Sequence, residues 1–434
     1  MNALPAKSVS PRVTSVDALR GFVMFVMIFV NDLAGAPKQI VPDWMSHFSD
    51  RHGEGSGMTF VDLVFPAFLF IVGMSIPFAL GPRLARGEPL WKTFGQVLLR
   101  TLALLSIGIL MVHETPDSQA LGWSGELWCT LMYLAVILAF CSVSPPRQKS
   151  GGTSSTSPHS DPTKTNEATW KRASLCLRVL GLAAMVWLAF AFRGGNGERI
   201  ITLSPWQLDT SWYGILGLIG WAYLVTALVY LAFRGHRTAI LGCMVLLMCL
   251  FAANRKGAFD DFWLSRIVDI GGTLGSQAAI SVGGLLLGSI LLAGEPFALR
   301  VRAKFTFWFA AGCAAAALLV QPLYGINKDN ATPSWCLWSC AVTAVLWFLF
   351  YLLSDVRPVK TISRPLARAG QNVLLAYLLS EMLPGLLDVL HLDGWYDSLS
   401  QGSLAAAITR SALCGVFILL AATGLNRVGF RLKL

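Results

Sequence analysis

Charge is what this sequence has least of. Asp, Glu, Lys and Arg make up 13% of its 434 residues, against roughly 25% in an ordinary soluble domain. Apolar residues reach 55%. A soluble domain of this length could not hide that much apolar surface, whereas a bilayer serves as the apolar solvent itself. Histidine is scarce, with six in all, and none of the nine cysteines forms a Cys-x-x-Cys pair. Cys336 and Cys340 share a helix face but have no histidine or carboxylate at metal-ligand spacing, so no metal site is expected. The cysteines all fall in apolar runs and read as small packing residues. No clear internal repeat is present. The formal charge of +10 would suggest nucleic acid in a soluble protein. Here the basic residues sit in short stretches between apolar runs, which orients membrane helices instead.

What is present is a series of apolar segments. Twelve stand out, near 17–34, 59–80, 95–112, 126–143, 173–192, 212–233, 238–253, 275–293, 304–323, 334–353, 369–389 and 403–424. Most approach the ~20 residues that cross a ~30 Å hydrocarbon core. The seventh is short, which leaves eleven spans with a re-entrant piece as the alternative. The expected fold is an all-α integral membrane protein. With a cytoplasmic N-terminus, 25 of the 34 basic residues fall on the cytoplasmic side. That bias alternates from loop to loop and puts both termini in the cytoplasm. The stretch from Ser144 to Lys171 is rich in Ser, Thr, Pro and Gly with no apolar period, so it reads as a disordered cytoplasmic linker. The expected organisation is a four-helix part (1–143), a linker (144–172) and an eight-helix part (173–434).

Polar groups in or beside a span are expensive and each needs a reason. On the outer side stand Asn31 and Asp32, at the end of the first segment. A loop follows with His47, Asp50, Arg51, His52 and Glu54, and then Asp62 just inside the second segment. Asp62 lies three residues after Thr59, so the two can share a helix face, and Pro66 weakens that helix locally. Histidine is the natural acid–base group near neutral pH, which makes His47 and His52 candidates; a solvated surface histidine is the plain alternative for both. On the cytoplasmic side Asp17 and Arg20 open the first helix, either as an ion pair or as an anion site, and Arg100 adds to the basic groups there. A later outer turn carries Asn327 and Lys328 and ends at Trp335, a mixture of hydrogen-bonding groups and an aromatic ring that suits a sugar or a tight polar turn.

The run Ser15-Val16-Asp17-Ala18-Leu19-Arg20-Gly21-Phe22, followed by Asn31 and then Met58-Thr59-Phe60-Val61-Asp62-Leu63-Val64-Phe65-Pro66 through Ile76, resembles the heparan-alpha-glucosaminide N-acetyltransferase family. It looks most like a bacterial branch described as amino-sugar-related transporters or acyltransferases. Ile326-Asn327-Lys328 with Pro333-Ser334-Trp335, and Gly370 through Tyr377, fit as well, so the resemblance extends over essentially the whole chain. It implies transfer of an acetyl group from cytosolic acetyl-CoA to the amine of a glucosamine on the other side. The family's active histidine, ten residues before the helix-2 aspartate, corresponds to His52, and its helix-1 asparagine to Asn31. The loop before Asp62 departs from the pattern, being longer and Gly-rich and holding His47 as a second histidine. The family's Gly-x-Leu-Gln-Arg is replaced by Gly125-Glu126-Leu127-Trp128-Cys129.

On this reading His52 is the base, Asn31 donates to the oxyanion, and Asp62 orients His52 or holds the acceptor. Arg20, Asp17 and Arg100 hold the CoA end. Asp32, His47, Asn327, Lys328 and Trp335 face the sugar. A covalent acetyl-His52 is the alternative route. The expected partners are acetyl-CoA as co-substrate, the sugar and the lipid bilayer, with no nucleic acid and with a homodimer left open. The expected place is the bacterial inner membrane. The rival function is a secondary transporter of amino sugars, a class usually built from paired repeats and broken helices at the bilayer midplane.

Overall fold

The computed structural model describes residues 13–53, 55–113, 115–144, 162–291 and 299–434. Glu54 and most of the expected linker, 145–161, lie outside the described residues. The chain forms two compact units, each discontinuous in sequence. The first comprises Met1–Val30, Val41–Gly108 and Trp212–Gly370; the second comprises Asn31–Ile40, Ile109–Ser211 and Gln371–Leu434.

The protein is nearly all-α. Its longer helices are α1 (Thr14–Ala34), α2 (Val64–Ala85), α3 (Leu90–Met111), α4 (Gly125–Ala139), α5 (Pro162–Ala191), α6 (Gly214–Phe233) and α7 (Arg237–Asn254). They continue with α8 (Ala278–Gly288), α9 (Leu299–Tyr324), α10 (Pro333–Tyr351), α11 (Lys360–Ala369), α12 (Val373–Val389) and α13 (Leu404–Arg427). Among the described residues nine helices are long and apolar enough to cross a membrane, or ten if α11 and α12 count as one span. Twelve spans were expected. The shortfall falls at α1, which is not among the nine, and at α4, which stops at Ala139 after 15 residues. Beyond α4, Cys141–Val143 pairs antiparallel with Phe430–Leu432. Pro145 and Pro146 follow directly, and residues before proline disfavour helix. The seventh segment, short in the sequence, is the 18-residue α7 and qualifies as a span. The end of the expected linker is helical, because α5 starts at Pro162, a residue well suited to a first helical turn.

In the first unit α2 packs along α8. Both are apolar on every side, as a helix enclosed by others should be. The 22-residue span Ile270–Leu291 is 94% buried and Val61–Ala85 is 72% buried, whereas α7 is only 17% buried and turns most of its surface outward. Glycine permits the α2–α8 approach. A Cβ at Gly73 would lie 1.7 Å from the Ser281 carbonyl oxygen, and one at Gly284 would lie 1.9 Å from that of Phe70. Before α8 the chain makes a π-helix, Ile270–Gln277, capped by Asp269, whose side chain accepts from Gly271 N. In the second unit α4 packs against α5 and α12, and α12 against α13. Ser124 and Ser403 cap α4 and α13 with their hydroxyl oxygens, satisfying first-turn N–H groups that would otherwise lack partners.

Candidate functional site

In the first unit the polar groups converge on Asp62. It lies in a 3-10 turn, Val61–Leu63, directly before α2 and is 2% exposed. A buried carboxylate must be paired or hydrogen-bonded, and three donors meet this one. Phe48 N and Thr59 N donate to Oδ2 at 3.1 and 2.9 Å, while the Thr59 hydroxyl, 3.4 Å from the same oxygen, gives its proton to the Ser46 carbonyl at 2.7 Å. His47 Nδ1 donates to Oδ1 at 2.7 Å. The loop sequence explains this arrangement. His47 immediately precedes the short helix Phe48–His52, so the first N–H of that helix and the His47 ring reach the same carboxylate. Since an ionised carboxylate only accepts, the shared proton belongs to Nδ1. That tautomer leaves Nε2 as the lone-pair nitrogen on a side chain that is 30% exposed.

Two residues from the distant turn complete the cluster. Lys328 Nζ lies 3.2 Å from His47 Nδ1 and 4.0 Å from Asp62 Oδ1. Trp335 is fully buried, and its Nε1 donates to the Asp62 carbonyl at 3.2 Å. It therefore braces the backbone of Asp62 from below instead of offering a ring at the surface. Asn327 shapes the turn: its Oδ1 accepts from Asn330 N and its own N–H donates to Thr332 Oγ1. The turn is tied to the Gly-rich loop, because Ile326 N donates to Ser56 Oγ and Gly57 N to Ile326 O, both at 2.8 Å. His52, at the end of the same short helix, is exposed and packs at a tilt against Phe48, with 4.6 Å between ring centroids. The structure thus brings Asp62, His47 and Lys328 together, and Asp62 bonds the ring of His47, not that of His52.

Also in the first unit, Arg20 donates to Asp17 Oδ1 (3.2 Å), the Gly370 carbonyl (3.4 Å) and Ser75 Oγ (2.6 Å). This guanidinium joins α1, α2 and the end of α11. Gly21 and Gly370 allow the close approach, since a Cβ on Gly370 would lie 1.9 Å from the Asp17 carbonyl oxygen. Arg100 lies over the Tyr223 ring at 4.8 Å, and its Nε is buried without a hydrogen bond among the described residues.

The second unit holds the other two predicted residues. Asp32 accepts from Tyr396 Oη (2.6 Å), Ser411 Oγ (2.6 Å) and Arg410 Nε (3.2 Å), and Arg410 Nη2 also donates to the Asp32 carbonyl at 2.8 Å. Burial, reinforced by the Asp32 carboxylate, pushes the Tyr396 phenol above the usual tyrosine range, so it stays a donor. Asn31 instead points its amide at Glu381, with Nδ2 donating to Oε1 at 3.0 Å. Glu381 and Arg410 were not singled out from the sequence. The available signal was a charge inside an apolar segment, at 369–389 and 403–424 respectively.

By class this is a nearly all-α chain with nine or ten helices, among the described residues, long and apolar enough to cross a membrane. Residues 12–149 match a family described as "Domain of unknown function (DUF5009)". Over 123 residues the chain is 33% identical to heparan-alpha-glucosaminide N-acetyltransferase of Homo sapiens, an alignment covering 28% of this chain and 16% of that protein. Over 117 residues it is 32% identical to the Mus musculus protein of the same name, covering 27% and 16% respectively. The resemblance drawn from the motifs is thereby shown, for about a quarter of the chain instead of its whole length. The chain spans about a sixth of the length of these relatives.

Proposed function

We propose that this protein is a transmembrane acetyltransferase that moves the acetyl group of cytosolic acetyl-CoA to the amine of a glucosamine-type sugar on the opposite, periplasmic side of a bacterial inner membrane. The observation that carries this reading is the His47–Asp62 pair with Lys328 beside it, combined with the likeness of about a quarter of the chain to proteins named N-acetyltransferases.

The roles follow from the chemistry. Asp62 holds His47 with the proton on Nδ1, so Nε2 accepts a proton from the attacking amine. The amine nitrogen bonds to the thioester carbonyl carbon, the C–S bond breaks, and the thiolate leaves with CoA and takes up a proton. For Asn31, in the second unit, the resemblance implies the part of oxyanion donor. Arg20, Asp17 and Arg100 serve the CoA end, with Arg20 and Asp17 acting chiefly as a clamp among helices. The resemblance places the base at His52; the hydrogen bond to Asp62 favours His47.

A specific feature supports a second reading. The π-helix Ile270–Gln277 interrupts a span that is 94% buried, and interrupted helices mark the sites of many transporters. One experiment separates the two. Purified protein is given radiolabelled acetyl-CoA and glucosamine, and the same protein in proteoliposomes is tested for glucosamine uptake. Acetyl transfer supports the enzyme, whereas uptake without transfer replaces it with the transporter.

A further inference from the structure

Two carboxylates in the second unit meet very different fates. Asp32 is met by a guanidinium and two hydroxyls. Glu381 is the ninth of the 17 residues of α12, inside an apolar helix, where an ionised side chain is costly. Its hydrogen bond is to the neutral amide of Asn31, and no basic side chain pairs with it among the described residues. Within the same set, Glu381 Oε2 and Asn31 Oδ1 carry no hydrogen bond. Glu381 is half-buried and Asn31 exposed. A carboxylate oxygen and an amide oxygen side by side suit a compact cation with several N–H donors.

We propose that Glu381, held by Asn31, recognises the ammonium group of the acceptor amino sugar. The identity of the ligand rests on the acetyltransferase reading; the site itself rests on this geometry. The ammonium donates to Glu381 Oε2 and Asn31 Oδ1 and supplies the countercharge that the helix lacks. A sugar with a hydroxyl in place of the amine leaves the carboxylate uncompensated and binds more weakly, by about tenfold or more for a hydrogen bond to a charged group.

The test needs no acetyl-CoA and no turnover. Binding of glucosamine and of glucose to the full-length protein in detergent is measured by titration calorimetry, for the wild type, Glu381→Gln and Glu381→Asp. Glutamine still accepts the Asn31 hydrogen bond but carries no charge. The expected result is a preference for glucosamine of about tenfold in the wild type that falls to near unity in E381Q. A wild type without preference, or an E381Q that keeps it, overturns the proposal. If E381Q does not fold, E381D decides: its shorter carboxylate should weaken glucosamine binding while leaving glucose unchanged, and equal loss of both sugars, or no loss, overturns the proposal. A preference for glucosamine in a protein that transfers no acetyl group would sink the acetyltransferase reading and leave the amine site standing.

Discussion

Residue by residue, the two outer histidines are the sharpest question, because resemblance and geometry point to different ones. His47 donates to a buried carboxylate, while His52 packs against Phe48 in the open. With His47 as the base, His47→Ala should lower kcat for acetyl transfer by roughly 10²- to 10⁴-fold, the usual contribution of a positioned acid–base group. His52→Ala should stay within a few-fold of wild type, and the reverse order in the same assay would restore His52. Asp62→Asn removes the charge and the tautomer control together, so the initial rate should fall by at least about tenfold while substrate KM changes little. Arg410 calls for a different measurement. It is 4% exposed on its side chain and bonds Asp32 twice. Arg410→Ala strands a nearly buried carboxylate and should cost roughly 3 kcal/mol or more of stability, read as a lowered thermal midpoint in detergent. The residue types of the site were legible in the sequence, since His47, Asp62 and Lys328 all stood out there. Their pairing was not, because Lys328 lies 281 positions from His47 and only packing of α10 against α2 brings its turn near.

Among the elements, the most constrained contact is that of α2 with α8. Gly73 and Gly284 each sit where a single methyl would press on the facing backbone, and backbone cannot swing away as a side-chain tip can. Gly284→Ala should therefore destabilise the first unit by about 1–3 kcal/mol, the usual cost of overpacking a tight core. Gly242, with nothing within 4 Å of a Cβ, is the control whose Ala variant should leave the thermal midpoint unchanged or slightly raised. The apolar segments were plain in the sequence because a bilayer-spanning helix must be both long and apolar. Their ends were less so. That α4 stops at Ala139, and that Cys141–Val143 becomes a strand, depends on Phe430–Leu432 arriving alongside, a partner far away in the chain.

For the whole molecule, sidedness is the quantity to measure. We propose, from the 25-to-9 division of basic residues, that both termini lie in the cytoplasm. Reporter domains fused before residue 1 and after residue 434 should then both show cytoplasmic activity, and a fusion at Trp44 should show the opposite. A periplasmic signal at either end would overturn this topology and, with it, the direction of acetyl transfer. Membrane character, the helical class and the pool of polar residues were readable from composition and order alone, because hydrophobic length and charge bias act locally along the chain. The break at Ile270–Gln277, the partner that Asp62 chooses and the amide that faces Glu381 were settled only on folding. Each of these depends on which distant backbone or side chain comes within about 3 Å, the range of a hydrogen bond, and no local stretch of sequence carries that information.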